Sequence, residues 1–246
     1  MTVFCRTASA FAAVFAQLHP LLPGKSTNDL GKFKNVMESA NIARIAFLRH
    51  GKTGSSTTGK DFDRLLTPEG QEQAREAGRV FGEELMPIFS PVLASSASRT
   101  VETANLFFES CGAKDLVELK IAQDLYDGTM RPKGSALFRK ISYAPLREYI
   151  ENEDERDRAD AQSVLGAYAH SAVDIIMDTA MESRPSERPG TLCVVAHAIY
   201  LPAAALGVAS IVGCKEAEIT MTTNTKEAEG YLIDIESSTV QYLSRE

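Results

Sequence analysis

Short apolar runs alternate with helical patterns along most of this chain, and this alternation limits the folds open to it. Residues 42–48 (IARIAFL), 91–94 and 191–196 (TLCVVA) have the character of buried strands. The segments between them carry apolar residues at helical spacing. Alternating strands and helices form parallel sheets, since a parallel crossover needs a helix. The pattern predicts an α/β fold: a three-layer sandwich with a mostly parallel central sheet and helices on both faces.

Local signals set the bounds of the elements. Thr67 is an N-cap candidate and Pro68 suits the first helical position, which predicts a helix to about Leu85. Residues 116–150 contain the helix breakers Pro132, Gly134 and Pro145 and are predicted to be an insertion of loops and short helices. The remaining predicted elements are a helix after Ser95–Ser98, helices over residues 159–181 and 201–209, and a terminal hairpin over residues 231–235 and 240–243.

The first 28 residues are basic and contain no Asp or Glu. Acid-poor leaders that bear hydroxyl residues are typical of organellar transit peptides, whereas the alternative is an N-terminal helix that packs on the domain. We therefore divide the chain into an N-terminal leader or extension over residues 1–40 and a catalytic domain over residues 41–246. The protein is expected in the cytoplasm, or in a chloroplast or mitochondrion if the leader is a targeting signal.

Charge and hydropathy argue against two classes of partner. The formal net charge is −7 and no basic stripe is present, which argues against a nucleic-acid binder. No apolar run approaches the ~20 residues that a membrane span requires. The four cysteines, Cys5, Cys111, Cys193 and Cys214, lie far apart without CxxC spacing, so neither a zinc site nor a disulfide framework is expected.

Two arginines and two histidines follow the predicted strands. Arg49 and His50 end the first strand, Arg99 follows the second and His197 follows a third. In open parallel sheets, ligands bind at the carboxyl ends of the strands, so these four side chains are expected to converge. Guanidinium groups match phosphate oxygens, and helix N-termini add oriented N–H groups. The arrangement predicts a site for a phosphoryl group.

Four motifs in fixed order strengthen this interpretation. They are RHGKT (49–53), DFDRLLTPEGQEQAREAG (61–78), SSASRTVETA (95–104) and VVAHAIYLPAAAL (194–206). Together they resemble the histidine phosphatase superfamily, branch 1, which has the phosphoglycerate mutase-like fold. The resemblance spans about residues 42–235 and leaves the leader outside.

The resemblance implies roles for individual residues. His50 would be the nucleophile and carry the phosphoryl group, while Arg49, Arg99 and His197 bind its oxygens. The arginines would keep the imidazole neutral by lowering its pKa. Asp63 and Arg64 would bind substrate or orient their loop, and orientation is favoured. The predicted substrate-binding residues are Gly51, Thr53, Arg64 and Ala198.

The acid that protonates the leaving oxygen is harder to assign. The family places a Glu or Asp after the helix that carries its second arginine. Asp127 fits that position here, with Asp124 as the alternative. If neither serves, the enzyme would suit phosphoramidates or acyl phosphates, whose leaving groups need less protonation.

The sequence thus predicts a phosphoric monoester hydrolase of the histidine acid phosphatase type, with no metal and no cofactor. The alternatives are a phosphomutase and a non-catalytic relative that only binds phosphorylated ligands. The expected partner is a phosphorylated small molecule or a phosphoprotein, selected by residues 52–62 and 116–150. No motif indicates the oligomeric state.

Overall fold

The computed structural model describes residues 27–56, 58–127 and 132–246. Within them a six-stranded sheet has the order β3-β2-β4-β1-β5-β6. The four strands β3, β2, β4 and β1 are parallel to one another. Strand β5 runs antiparallel to β1, and β6 runs antiparallel to β5. The strands are β1 Ile42–Arg49, β2 Val92–Ser95, β3 Leu119–Ala122, β4 Gly190–Ala196, β5 Gly230–Asp234 and β6 Thr239–Leu243.

Helices cover both faces of this sheet. In chain order the described α-helices are α1 Thr27–Ala40, α2 Pro68–Leu85, α3 Ser98–Ser110, α4 Asp124–Asp127, α5 Pro132–Ile141, α6 Leu146–Ile150, α7 Glu155–Glu182, α8 Tyr200–Val212 and α9 Glu218–Thr222. The predicted α/β sandwich with a mostly parallel sheet is confirmed.

The side chains of the central strands alternate between two cores. In β1, Ile45 and Phe47 pack into the larger core, which α1, α7 and α8 complete. Ala46 and Leu48 face the smaller core with α2 and α3. Because successive strand residues point to opposite faces, an apolar run buries both faces of the sheet. This burial fixes the strand ends, where the predicted site residues lie.

Most predicted elements appear at or near their predicted bounds. Thr67 Oγ1 accepts a hydrogen bond from the backbone N–H of Gly70 at 3.0 Å, so the predicted N-cap of α2 is present. The prediction for residues 116–150 was wrong in one respect, because it includes β3 as well as short helices. β3 is a four-residue edge strand whose Ile121 is half exposed, so it lacks the apolar run that marks the inner strands.

Helix α1 packs against the domain. Phe33 and Met37 are fully buried in the larger core, and Asn41 Nδ2 donates to Ser186 O at 2.9 Å. Residues 33 and 37 therefore supply part of the core, and the division at residue 41 stays a prediction. Residues 1–26, which carry the transit-peptide prediction, lie outside the described residues.

Candidate active site

His50 lies directly after β1, where the strand emerges at the carboxyl edge of the sheet. Its backbone N–H donates to Ala196 O of β4 at 3.1 Å, and its side chain is buried. The ring Nδ1 is 2.8 Å from the carbonyl oxygen of Gly51. A carbonyl can only accept, so Nδ1 carries the proton and Nε2 keeps a free lone pair. The imidazole is therefore oriented as a nucleophile.

Burial and nearby guanidiniums hold this imidazole neutral. Burial is the largest cause, and the charge of Arg99 is the next, in lowering the pKa of His50 to about 3. Arg49 and Arg64 act in the same direction, while the hydrogen bond to Gly51 opposes them. The sequence predicted that the arginines lower this pKa. Burial of the imidazole is a further cause, and it is larger than either arginine's effect.

His197 follows β4, the strand beside β1, and faces His50. The two ring centroids are 5.3 Å apart, with an edge-on arrangement. Ser95 Oγ lies 2.7 Å from Nε2 of His197, which links the ring to the end of β2. Burial first, then the proximity of His50 and Arg99, lower the pKa of His197 well below its ordinary value. Two neutral imidazoles therefore lie side by side.

Arg49, the last residue of β1, is held by the segment before β5. Nη1 donates to Thr225 O at 2.6 Å, and Nη2 donates to Glu227 Oε1 at 3.0 Å. The ring of Tyr143 lies over the guanidinium, 4.7 Å from ring centroid to Cζ. These contacts fix both end nitrogens of a side chain that is only 5% exposed.

Arg99, the second residue of α3, is held by the loop after β1. Nη1 donates to the backbone oxygen of Asp61 at 2.7 Å, and Nη2 donates to its Oδ2 at 2.8 Å. The hydroxyl of Tyr126 also donates to this carboxylate at 3.3 Å. Burial of Asp61 opposes its ionisation, but Arg99 and Arg64 outweigh it and lower the pKa of this carboxyl.

Three nitrogens of this cluster are buried without a hydrogen-bond partner among the described residues. They are Nε of Arg49, Nε of Arg99 and Nδ1 of His197. Buried donors of a charged group are normally hydrogen-bonded, since an unpaired one is costly. Their grouping around His50 is explained by an anionic ligand whose oxygens accept these N–H groups.

Comparison with known proteins agrees with this geometry. The family model described as the histidine phosphatase superfamily (branch 1) matches residues 45–211. The chain belongs to this superfamily. No curated protein sequence matches the chain.

Solved structures are also similar to this chain. A phosphoserine phosphatase from Entamoeba histolytica with bound 3-phosphoglyceric acid is 17% identical, with a TM-score of 0.51 over 82% of this chain and 95% of its own. Phosphoglycerate mutase from Bacillus anthracis is 16% identical (TM-score 0.49; 84% and 93% coverage). The alpha-ribazole phosphatase from Shigella flexneri is 16% identical (TM-score 0.49; 82% and 96% coverage).

Thr53 and Arg64, two of the predicted substrate-binding residues, lie in the loop over residues 52–64. Arg64 donates through Nη2 to Thr53 Oγ1, through Nε to Gly54 O at 2.9 Å and through Nη1 to Asp61 Oδ1 at 3.2 Å. Asp63 accepts from Thr58 Oγ1 at 2.7 Å. These contacts orient the loop, and binding of substrate by Thr53 and Arg64 stays a prediction.

Gly51 and Ala198 each follow one of the two site histidines in the chain. A Cβ on Gly51 would lie 2.3 Å from the carbonyl oxygen of Gly70, so the start of α2 requires a glycine here. The sequence analysis attributed Gly51 to close approach of phosphate, and the packing against α2 is a separate reason. Ala198 lines a narrow cleft together with Arg49 and Tyr143.

The structure describes the side chain of one of the two predicted proton donors. Asp124 begins α4 with an exposed side chain. Asp127 ends the same helix, and its side chain lies outside the described residues. The carboxylate that the structure places beside Arg99 is that of Asp61.

Four side chains at this site escaped the sequence analysis: Asp61, Tyr126, Tyr143 and Glu227. Asp61 stands in the DFDR motif, where the analysis weighed Asp63 and Arg64 instead, so the motif was the available signal. Nothing in the sequence marks the other three, because their contacts with the site come from the packing of distant segments.

Two further features bear on the class of site. Within the described ranges, no three His, Cys, Asp or Glu side chains form a group suited to holding a metal ion. Among the helices that the structure describes, none combines the length and apolar character needed to cross a bilayer.

Proposed function

We propose that this chain is a phosphatase that hydrolyses a phosphomonoester or a phosphoramidate through a phosphohistidine on His50. One observation carries the proposal: the buried, neutral imidazole of His50 shares its cluster with three buried nitrogens that have no hydrogen-bond partner among the described residues. This is the arrangement needed to bind a tetrahedral anion and attack its phosphorus. Membership of the histidine phosphatase superfamily supports the same reaction class.

In the first half-reaction, Nε2 of His50 attacks phosphorus in line with the leaving group. The N–P bond forms as the bond from phosphorus to the leaving oxygen or nitrogen breaks. Charge on the equatorial oxygens is stabilised by the N–H groups of Arg49, Arg99 and His197. His197 donates from Nδ1 when Ser95 donates its hydroxyl proton to Nε2, which the 2.7 Å contact allows.

In the second half-reaction, water attacks the phosphorus of phosphohistidine. The N–P bond breaks, inorganic phosphate leaves and Nε2 regains its lone pair. The hydrogen bond from Nδ1 to Gly51 persists through both steps and stabilises the positive charge that the ring carries while phosphorylated. The site thus returns to its starting state, and His50 is the one side chain that acts as a nucleophile in the proposed cycle.

Protonation of the leaving oxygen is assigned by prediction to Asp127, with Asp124 as the alternative. The same acid would then act as the base that takes a proton from the attacking water. A phosphoramidate or an acyl phosphate needs this acid less, so comparison of leaving groups measures its contribution.

The test is turnover by the full chain on a panel of phosphorylated metabolites, an aryl phosphate and a phosphohistidine peptide. We expect His50→Ala to lower kcat/KM on any accepted substrate by roughly 10⁴-fold or more, because it removes the group that forms the covalent intermediate. Rapid quenching into alkali should trap a phosphoryl label that acid releases, as a phosphoramidate bond requires.

His170→Ala is the matched control. His170 lies on α7 and lines a different surface cleft, beside Lys32 and Asp174. We expect this variant to keep the rate of the unaltered chain. Binding of the phosphorylated compounds without any turnover would instead identify a non-catalytic relative, and transfer back to substrate rather than to water would identify a mutase.

A further inference from the structure

The two arginines of the site are held in the same way by unrelated segments. In Arg49, Nη1 donates to a backbone carbonyl at 2.6 Å and Nη2 to the carboxylate of Glu227 at 3.0 Å. In Arg99, Nη1 donates to a backbone carbonyl at 2.7 Å and Nη2 to the carboxylate of Asp61 at 2.8 Å. In both, Nε is buried and has no partner among the described residues.

We propose that Asp61 and Glu227 are positioning residues that direct the Nε–H of Arg99 and Arg49 toward the phosphoryl group. A guanidinium has five N–H donors in a rigid plane, so fixing its two end nitrogens also fixes the direction of Nε. The proposal rests on the proposed function, since it assumes that the anion between the arginines is a phosphoryl group.

The exposure of the partners supports this direction of action. Asp61 and Glu227 are each 35% exposed, whereas Arg49 and Arg99 are 5% and 6% exposed. The carboxylates are therefore more accessible to solvent than the guanidiniums, whereas the Nε atoms are buried. A carboxylate that occupied the anion site would be expected to accept from the Nε–H groups of the arginines instead.

The carboxylates also reduce the cost of placing two like charges close together. Arg49 and Arg99 both lower the pKa of His50, so both positive charges act on one small volume. Each paired carboxylate offsets part of that repulsion and stops the guanidinium from turning to solvent. Without the carboxylate, one backbone carbonyl remains, and a single hydrogen bond leaves the plane free to rotate.

The test measures binding of inorganic phosphate to the full chain by calorimetry at constant pH and salt. We expect Asp61→Ala and Glu227→Ala each to raise the Kd for phosphate by roughly 10-fold to 100-fold, the usual effect of removing a residue that orients a binding group. Asp61→Asn and Glu227→Gln keep an oxygen that can accept from the arginine, so we expect them to recover part of the loss.

Two controls separate orientation from charge and from folding. Glu72→Gln removes the same charge from the exposed face of α2, where the carboxylate accepts from Arg79 rather than from Arg99. Glu236→Gln removes an exposed charge in the turn between β5 and β6. We expect both controls to bind phosphate as the unaltered chain does, and all variants to share its thermal unfolding midpoint within a few degrees.

The sign of the change in Kd decides between explanations. A lower Kd in Asp61→Ala would overturn the proposal and identify the carboxylate as a competitor for Arg99. An unchanged Kd with a fall in kcat confined to alkyl phosphates would also overturn it and identify Asp61 as the proton donor. Equal effects in Glu72→Gln would overturn the positioning role and identify a charge effect.

Failure of the proposed function remains distinguishable from failure of this inference. Phosphate binding is measured in the His50→Ala background as well, where no phosphohistidine can form. A chain that binds phosphate without turnover refutes the phosphatase, and the Asp61 and Glu227 variants still decide the positioning roles. A chain that binds no phosphate refutes both.

Discussion

The floor and the mouth of the active site come from different parts of the fold. The floor consists of Arg49, His50 and His197 at the ends of β1 and β4, where backbone hydrogen bonds join the two strands. The mouth consists of Tyr143 and the described residues of the loop over 52–64. Floor residues are at most 9% exposed, whereas Tyr143 is 47% exposed.

This difference separates chemistry from selection. Attack on phosphorus needs an imidazole placed to within a fraction of an ångström, which packed strands supply. Choice of substrate needs side chains that can vary without disturbing the core, and these lie on loops. The comparison predicts large effects on rate from changes in the floor and small effects on affinity from changes in the mouth.

The largest expected effect in the floor after loss of the nucleophile is that of His197→Ala. It removes an N–H donor to the phosphoryl oxygens, so kcat should fall by roughly 100-fold to 1000-fold. Steady-state kinetics with an aryl phosphate checks this. His197→Asn, whose amide can donate from nearly the same place as Nδ1, should recover part of the rate. Equal losses in both variants would contradict donation from Nδ1.

The packing under the floor is tested by Gly51→Ala. The new Cβ would lie 2.3 Å from Gly70 O, so α2 or the loop must move, and the free energy of unfolding should fall by roughly 2–3 kcal/mol. Urea unfolding measures the loss. The control is Gly54→Ala in the same loop, where the nearest atom is 3.8 Å away and the effect should stay within about 0.5 kcal/mol.

As the pH falls, the free energy of unfolding should decrease first through the histidines of the floor and only later through Asp61 of the mouth. The lowered pKa of His50 means that the unfolded chain binds a proton below pH ~6.5 that the folded chain refuses until about pH 3. Stability should therefore fall as the pH drops through this range, by about 2 kcal/mol for His50 between pH 7 and pH 5. His197 has the same sign.

The mouth titrates in a different range. The lowered pKa of Asp61 gives stability above the ordinary aspartate pKa that is lost only as the pH falls below it. Urea midpoints at pH 5, 6 and 7 test the comparison, with His50→Asn as the variant that should reduce the slope. If the urea midpoint depended on pH as strongly in His50→Asn and His197→Asn as in the unaltered chain, the pH dependence could not be assigned to these two histidines.

The smallest expected effect is that of Tyr143→Ala in the mouth. Its ring contacts the guanidinium of Arg49, and a cation–π contact at an exposed position is worth about 0.5–1 kcal/mol. We expect KM to change by about 2-fold to 5-fold with kcat nearly constant, and Tyr143→Phe to match the unaltered chain. A fall in kcat as large as that of His197→Ala would end the distinction between floor and mouth.

The sequence by itself indicated the inner strands, the larger helices and the side chains that meet at one edge of the sheet. Short apolar runs placed β1, β2 and β4, the Thr67-Pro68 pair placed the start of α2, and the rule on strand ends brought His50, Arg99 and His197 together. These inferences depend on local patterns: buried parallel strands have continuous apolar runs, and parallel strands end at one edge.

Only the tertiary structure decided the partners of the arginines and the packing of α1. Asp61 and Arg99 are 38 positions apart, and Glu227 is 178 positions from Arg49. No local pattern encodes such pairs, since they depend on how loops pack over the finished sheet. The same holds for α1, whose Phe33 and Met37 are core residues only because α7 and α8 cover them. Edge strand β3 was missed because half-exposed strands carry little apolar pattern.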